Sequence, residues 1–383
     1  MTPERVDRDG TPAYRFLGVE VTRREAAFLV IGVVFLFVIP DIAGLSDSLQ
    51  LSVIHQGLLF GFAAVGLNLL LRHTKLTSFG HAAFFGTGAY ATAVLARYAG
   101  VQSVGLLLLG AIAAATVMAA IIGILSLRHT GLYFALLTLA FGQLLYAIAL
   151  GQSALGGSDG LPIRPGPANQ PLLFGTAFNP DVYQVLTYYL TVVVILIGLF
   201  VMYRITQSPF RNALDAIGQE RTRARFIGLP VRRYVWVAFV VSGIYGGVAG
   251  GLYAVVRQYV RPEGTLFFLR SGDILFMAIL GGFRTLVGPL IGGVVLVFLQ
   301  DVGQDVTQYY EFLTGVVLLI LVYGFPRGIV GSLRSGGIVN RRLGELRREP
   351  SVLSAWGRTA VQSIERKVAE SLTSLRIILF GVD

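Results

Sequence analysis

Cysteine is absent from the 383 residues, which excludes disulfides, thiolate metal sites and a cysteine nucleophile. Charge is also scarce. Asp, Glu, Lys and Arg make up 14% of the chain, against roughly 25% in soluble domains, and that shortfall excludes a water-soluble globular protein. The histidines, His55, His73, His81 and His129, are scattered without an HxxxH-type pair, so no metal centre is expected. No Gly-x-x-x-x-Gly-Lys-Ser/Thr loop occurs, and with it goes the ordinary backbone cradle for ATP phosphates. Neither a carboxylate pair nor a Ser/His/Asp set offers catalysis, so no enzyme is expected. Ionisable groups are nearly missing from the apolar stretches, whereas proton-coupled carriers need buried Asp, Glu or His relays. His81 and Asp273 come nearest. Each stands near the end of an apolar stretch, where a helix-capping role is expected.

Hydrophobic residues account for 54% of the chain. A membrane helix needs roughly 20 mostly apolar residues. Windows 26–45, 49–71, 101–127, 131–151, 183–203 and 234–256 meet that need, and 80–99 makes a shorter Gly- and Ala-rich span. The first window follows polar residues 1–25, contains Pro40 and Asp41, and lacks a small-residue cleavage pattern; it reads as an uncleaved helix. The stretch 271–299 divides at Gly281-Gly282-Phe283-Arg284 into 271–283 and 285–300. Each half is short for a span, so a tilted or re-entrant hairpin is expected. Broken backbone survives at membrane depth only when buried in protein or lining a cavity. A last span covers 311–325. The expected fold is all-α: a polytopic transmembrane bundle of about ten membrane segments, with a polar segment 1–25, a membrane domain 26–330 and a basic tail 331–383.

Arg and Lys orient the spans. Arg5, Arg8, Arg15, Arg23 and Arg24 place the N-terminal segment inside; Arg72, Lys75 and Arg128 mark later inner ends. The loop 152–182 holds Arg164 as its one basic residue and falls outside, whereas the loop 204–233 holds Arg204, Arg211, Arg221, Arg223, Arg225, Arg232 and Arg233 and falls inside. With 271–299 split, the Arg-rich tail also falls inside, so both termini are cytoplasmic and the alternation follows the positive-inside rule. The net charge of +10 then belongs to cytoplasmic loops.

The inner segment 208–230 reads as one amphipathic helix. Ser208 suits its N-cap and Pro209 its first turn. Phe210, Ala213, Leu214, Ile217, Ala224 and Ile227 recur at helical spacing as one apolar face, and Gly228 followed by Pro230 ends the helix. Such a face suits either the lipid headgroups or the groove of a cytoplasmic partner. The outer loop carries a Gly156-Gly-Ser-Asp-Gly160 turn and several prolines, and its length makes a binding surface plausible. The Gly-rich run 243–251 reads as a helix-packing face. A weak echo relates Arg72-His73-Thr74 to Arg128-His129-Thr130. In the tail, Leu353, Trp356, Ala360, Ile364, Val368, Leu372, Leu375 and Leu379 form a stripe too charged on its flanks to span, which reads as a helix on the inner leaflet or a partner.

Five collinear motifs resemble those of branched-chain amino-acid ABC transporter permeases of the LivM type: GLNLLLRHTKLTSFGHAAFFGTGAY at 66–90, GLYFALLTLAFGQ at 131–143, GGSDG at 156–160, PFRNALDAI at 209–217 and MAILGGFRTLVGP at 277–289. The resemblance covers roughly 50–330. It implies a permease subunit in the cell membrane that works by alternating access and has no cofactor of its own. ATP and Mg would sit on two partner ATPase subunits; a second related permease and an external solute-binding protein complete the system. It further implies that the 208–230 segment couples to an ATPase, with Phe210, Arg211, Leu214, Asp215, Ile217 and Gly228 as the coupling set and Phe210, Leu214 and Ile217 facing the ATPase groove. Ser158 and Asp159 become candidates for docking the binding protein. A path for an apolar amino acid needs small and weakly polar lining, for which Ser78, Gly80, Phe84, Gly86, Tyr133, Thr138 and Gly282 are candidates, each weighed against plain helix packing. Ser78 and Gly80 precede a short helix whose free N–H groups suit a carboxylate, although their expected depth near the inner face argues against it. The rival substrates are urea and short-chain amides, and the rival class is a stand-alone secondary carrier or channel.

Overall fold

The structure is a computed structural model that describes residues 4–8, 11–16, 19–22, 40, 51–163, 171–173, 176, 178–306, 308–325 and 328–334. By internal contacts the chain divides into Met1–Val330 and Gly331–Asp383. Apart from Pro40, the expected first span 26–45 lies outside the described residues, as does the apolar stripe of the tail.

Within the first unit, β1 (Glu4–Arg8), β2 (Thr11–Phe16) and β3 (Val19–Thr22) form an antiparallel meander, with Arg8 opposite Thr11 and Phe16 opposite Val19. The all-α expectation left out this element. The helices begin with α1 (Leu51–Leu69), prolonged by a π-helical turn at Leu70–Thr74. There follow α2 (His81–Tyr98), α3 (Val104–Ser126), α4 (Leu132–Gly151) and α5 (Pro180–Thr206). Next come α6 (Pro209–Gln219), α7 (Arg221–Phe226) and α8 (Val231–Arg257). The series closes with α9 (Pro262–Thr265), α10 (Phe268–Gly281), α11 (Gly288–Val306), α12 (Tyr310–Gly324) and α13 (Ile329–Arg334). Among the described residues, seven helical stretches are long and apolar enough to cross a bilayer. The break expected near Gly281–Arg284 falls at 282–287, between α10 and α11.

Two helices occupy the centre. Of the apolar window of Leu51–Thr74, 94% is buried, and of that of Val231–Arg257, 72%. Small residues bring their neighbours close. Gly243, Gly247 and Gly251 of α8 face Ala119, Ala115 and Ala111 of α3 at matching four-residue spacing; a Cβ on Gly251 would come within 2.7 Å of that of Ala111. Contact this close lets helices associate without an aqueous hydrophobic drive, so the Gly-rich run serves packing.

At the opposite end of the bundle from α6, β4 (Leu161–Pro162) pairs with β5 (Tyr259–Val260), Leu161 opposite Val260. The pairing ties the loop after α4 to the end of α8.

Candidate coupling site and membrane path

The expected single helix at 208–230 is two. Glu220 takes an extended conformation, and its carboxylate accepts from the Thr222 N–H at 3.2 Å, ending α6 and capping α7. Ser208 occupies the N-cap position of α6, but its hydroxyl donates backwards to the Ile205 carbonyl at 2.7 Å. Pro209 fills the first turn as expected. Gly228, at φ +86°, lets the chain turn after α7, and the Leu229 N–H closes on the Ala224 carbonyl.

The apolar face of α6 points into the bundle. Leu214 and Ile217 are 0% and 1% exposed, and Phe210 stacks on Tyr234 of α8 with ring centroids 5.5 Å apart. The expectation that these residues face an outside groove is corrected: the bundle itself is the apolar surface they cover. Turned outward instead are Pro209, Asn212 and Gln219, and at the end of α7 the side chains of Phe226 and Ile227, 86% and 74% exposed.

One polar tie fixes α6 in place. His73 Nδ1 lies 2.6 Å from Asp215 Oδ1, and Arg211 Nε donates to Asp215 Oδ2 at 3.1 Å. A carboxylate only accepts, so Nδ1 carries the imidazole proton; Nε2 is buried without a partner. His73 belongs to the π-helical turn that ends α1. A Cβ on Gly218 would run into the His73 carbonyl, so α6 rests directly on that turn. Slightly deeper in α1, Asn68 Nδ2 donates to the Thr285 carbonyl at 2.9 Å. The end of α1 therefore holds α6 on one side and the 282–287 turn on the other.

The chain between the π-helical turn and α2 is extended. Leu76, Ser78 and Gly80 are buried, while Lys75, Thr77 and Phe79 are exposed, the two-residue alternation of extended backbone. Gly80 crosses α4 so closely that a Cβ would stand 2.5 Å from the Thr138 carbonyl oxygen. Thr138 Oγ1 accepts from the Phe79 N–H at 3.2 Å and donates to Ala135 O. His81, fully buried, lies with Nε2 2.7 Å from Ser242 Oγ. Ser242 is about 16 Å along α8 from its start, at about 1.5 Å per residue, so Ser78–His81 sits deep in the bundle rather than near the inner face. The N–H groups thought free to attract a carboxylate are engaged in part: Gly80 donates to Ser78 Oγ and Ala82 to Ser271 Oγ at 2.9 Å. The capping roles expected of His81 and Asp273 are also corrected. His81 ties α2 to α8, and Asp273, in the second turn of α10, pairs with Arg270 at 3.0 Å.

Of the path candidates, Ser78, Gly80 and Thr138 come together. Phe84 is in the core, edge-on to His81 and Phe239. Gly86 lies against Leu266 beyond α9, Tyr133 is exposed at the start of α4, and Gly282 takes φ +109° in the turn after α10. In the loop after α4, Ser158 and Asp159 are exposed at the tip of a turn closed by the Gly160 N–H on the Gly156 carbonyl. The sequence reading missed the His73–Asp215 tie and the buried bond between His55 Nε2 and Thr191 Oγ1 at 2.8 Å. His73 and Asp215 each stand in a motif, but nothing in the linear order pairs residues 142 positions apart.

A bundle of apolar helices around two glycine-bearing central ones, with an amphipathic helix pair seated on one end, defines a multi-pass membrane protein. The family of branched-chain amino acid transport system permease components matches residues 49–323, and the chain belongs to it. Among its relatives is the high-affinity branched-chain amino acid transport system permease protein LivM of Escherichia coli (strain K12). It is 26% identical over 325 residues, 80% of this chain and 74% of the relative. BraD of Pseudomonas aeruginosa, of the same description, is 23% identical over 72% of this chain and 92% of its own length. A probable branched-chain amino acid transport permease protein LivH, of Methanocaldococcus jannaschii, is 31% identical over 35% of this chain and 39% of its own length. No solved structure matches.

Proposed function

We propose that the chain is the permease subunit of an ATP-driven importer that moves the branched-chain amino acids leucine, isoleucine and valine across the inner membrane by alternating access. The observation that carries this reading is the family match, which runs from α1 into α12. The names of the relatives favour branched-chain amino acids over urea or short amides, and a permease within a larger transport system over a stand-alone carrier. The likeness to LivH as well as LivM favours a second, related permease as partner. Two ATPase subunits, which carry ATP and Mg, and an external binding protein complete the assembly; this chain hydrolyses nothing itself.

In this reading α6 and α7 are the coupling element. Leu214, Ile217 and Phe210 fasten it to the bundle, His73–Asp215–Arg211 tie it to the end of α1, and Gly228 closes it. Pro209, Asn212, Gln219, Phe226 and Ile227 meet the ATPase. Ser158 and Asp159 receive the binding protein. The path passes Ser78, Gly80 and Thr138, with Thr77 and Phe79 turned towards the sister permease. The domain plan is a polar segment 1–25, a permease domain 26–330 and a tail 331–383. The topology has about ten membrane segments, both termini cytoplasmic. Because the native chain lacks cysteine, Gln304→Cys and Arg284→Cys test this last point without background: the first is expected to label from outside and the second from the cytoplasm, and labelling of Gln304→Cys from inside alone overturns the topology.

The decisive experiment reconstitutes the chain with its sister permease, the ATPases and the binding protein in vesicles and follows uptake of labelled leucine. Uptake is expected to require ATP and every partner. ATP-independent uptake by this chain alone, selectivity for urea over leucine, or hydrolysis of ATP by this chain lost on mutating one of its residues would overturn the proposal.

A further inference from the structure

We infer that the Arg-rich end of the bundle carries a binding site for a phospholipid with an anionic headgroup, between the end of α3 and the start of α8. A cavity of about 540 Å³ opens there. Arg225, Arg232 and Arg233 line it, all three are exposed, and among the described residues no carboxylate borders it. Among the described residues none of the three forms an ion pair. Arg232 Nη2 donates to the Ile124 carbonyl at 3.3 Å, which fixes that guanidinium at the last turn of α3 and leaves its other N–H groups for a ligand. Three arginines around one cavity with no described carboxylate suit a phosphodiester, which each guanidinium can bind through two parallel hydrogen bonds.

The remaining wall selects a lipid over a soluble phosphate. It is apolar, made by Ile124, Leu127, Leu229 and Trp236. The Trp236 Nε1–H donates to the Ala120 carbonyl at 3.1 Å, which holds the indole at the rim; tryptophan favours that level of a membrane, where its ring is half in hydrocarbon. From the cavity an exposed apolar strip continues along the bundle through Ile121 and Val117 of α3 and Val237 of α8. A headgroup held by the arginines would lay its acyl chains on that strip. Basic pockets between membrane helices at the cytoplasmic side bind anionic headgroups for this reason. The inference rests on the membrane location of the chain and not on its substrate, so it can fail while the transport reading stands, and the reverse.

The test uses the full chain in nanodiscs of equal parts phosphatidylglycerol and phosphatidylcholine, released into native mass spectrometry, with the retained lipid counted. Three arginines give a preference for phosphatidylglycerol on the order of a hundredfold. Arg232→Gln with Arg233→Gln is expected to lower it about thirtyfold, while melting in phosphatidylcholine alone stays that of the wild type. Should that double variant fail to fold, Arg232→Lys with Arg233→Lys keeps the charge but loses the forks, and an intermediate preference is expected. Equal retention of both lipids by the wild type, or wild-type preference in the glutamine variant, overturns the inference. So does full loss of the preference when inorganic phosphate is added, which would assign the cavity to free phosphate. Exclusion of phosphatidylglycerol on assembly with the ATPases also overturns it and assigns the arginines to a protein contact.

Discussion

The centre and the rim of the bundle differ in polarity and in how closely backbones meet. Leu51–Thr74 and Val231–Arg257 are 94% and 72% buried in their apolar windows, yet they contain Asn68, His73 and Ser242 and glycines that meet neighbouring backbone, Gly57, Gly61 and Gly250. Val104–Ser126 and Pro180–Thr206 are each 33% buried, and they are the more continuously apolar. In water the most hydrophobic helix goes inside. In lipid the tails are as apolar as leucine, so a leucine gains nothing by moving inward, whereas close backbone contact and hydrogen bonds do. Burial here follows polarity and close backbone contact, not small residues as such, since Val104–Ser126 holds as many glycines as Leu51–Thr74.

The sharpest way to break that comparison is to enlarge one residue in each region. A Cβ on Gly250 of α8 would overlap the Phe85 carbonyl of α2, and a backbone atom cannot rotate away. Gly250→Leu is expected to cost about 3 kcal/mol or more, seen as loss of folded protein from detergent extracts and a collapsed melting transition. Leu106→Ala at the rim, where Leu106 is 58% exposed, should stay within about 0.5 kcal/mol. Comparable losses in both would show that the rim is packed protein and not a lipid face.

The next effect separates the bundle from its appendage. Leu214 is fully buried beneath α6, and such burial contributes roughly 1.5–3 kcal/mol. Leu214→Asp removes that contribution and places a carboxylate in the apolar contact beneath α6. Local detachment of α6 is expected, with rapid hydrogen exchange across 209–219, while α1 and α8 keep their protection. Slow exchange in α6 of the variant would mean that Leu214 does not hold the helix.

Much of the rim was legible in the sequence because long apolar runs carry their own length. The windows 101–127 and 131–151 became α3 and α4 within a few residues. The split at Gly281-Gly282 was legible through charge, since only two short helices kept the basic tail on the basic side. Three features were not, and a fourth carries a signal that charge does not show. That fourth is the meander of β1–β3, for which Asp9-Gly10 between alternating polar and apolar residues is a strong hairpin signal. The break at Glu220 needs its carboxylate as a cap, which helical spacing does not reveal. The direction faced by Leu214 and Ile217 follows from the end of α1 lying below them. The depth of Ser78–His81 follows from a long-range bond to Ser242.

The tie between centre and appendage gives a smaller, functional effect. His73→Ala leaves Asp215 with Arg211 alone, and loss of one hydrogen bond to a charged group costs about 1.5–3 kcal/mol when buried; with Asp215 one-third exposed the effect belongs at the low end or below it. The bundle is expected to fold. In the reconstituted importer, ATP hydrolysis should persist while leucine uptake per ATP falls several-fold, because α6 can shift without carrying α1. His73→Gln, whose amide N–H can reach the carboxylate, should restore part of the ratio. An unchanged ratio in His73→Ala would make the tie a matter of stability only.

The smallest effect on the chain itself is expected at Phe226 and Ile227, and it decides what the appendage faces. Both are large, apolar and almost fully exposed beside Arg223 and Arg225. At the rim, exposed apolar groups such as Leu106 are answered by lipid. Beyond α7 the chain has already left the apolar spans, so lipid can answer only if the end of α7 dips into the headgroup layer. Phe226→Ser with Ile227→Ser removes the apolar pair and leaves the arginines in place, and surface changes of this kind alter stability by no more than about 0.5 kcal/mol. If the pair meets an ATPase subunit, the variant should melt like the wild type yet copurify with much less ATPase, and the loss should persist in detergent, where no bilayer is left to hold α7. If the pair rests on lipid, copurification should be unchanged and the difference should appear as increased labelling of Gly228→Cys by a water-soluble reagent in vesicles. The first outcome extends the coupling surface from α6 across α7; the second returns these residues to the same account as the lipid-facing helices of the rim.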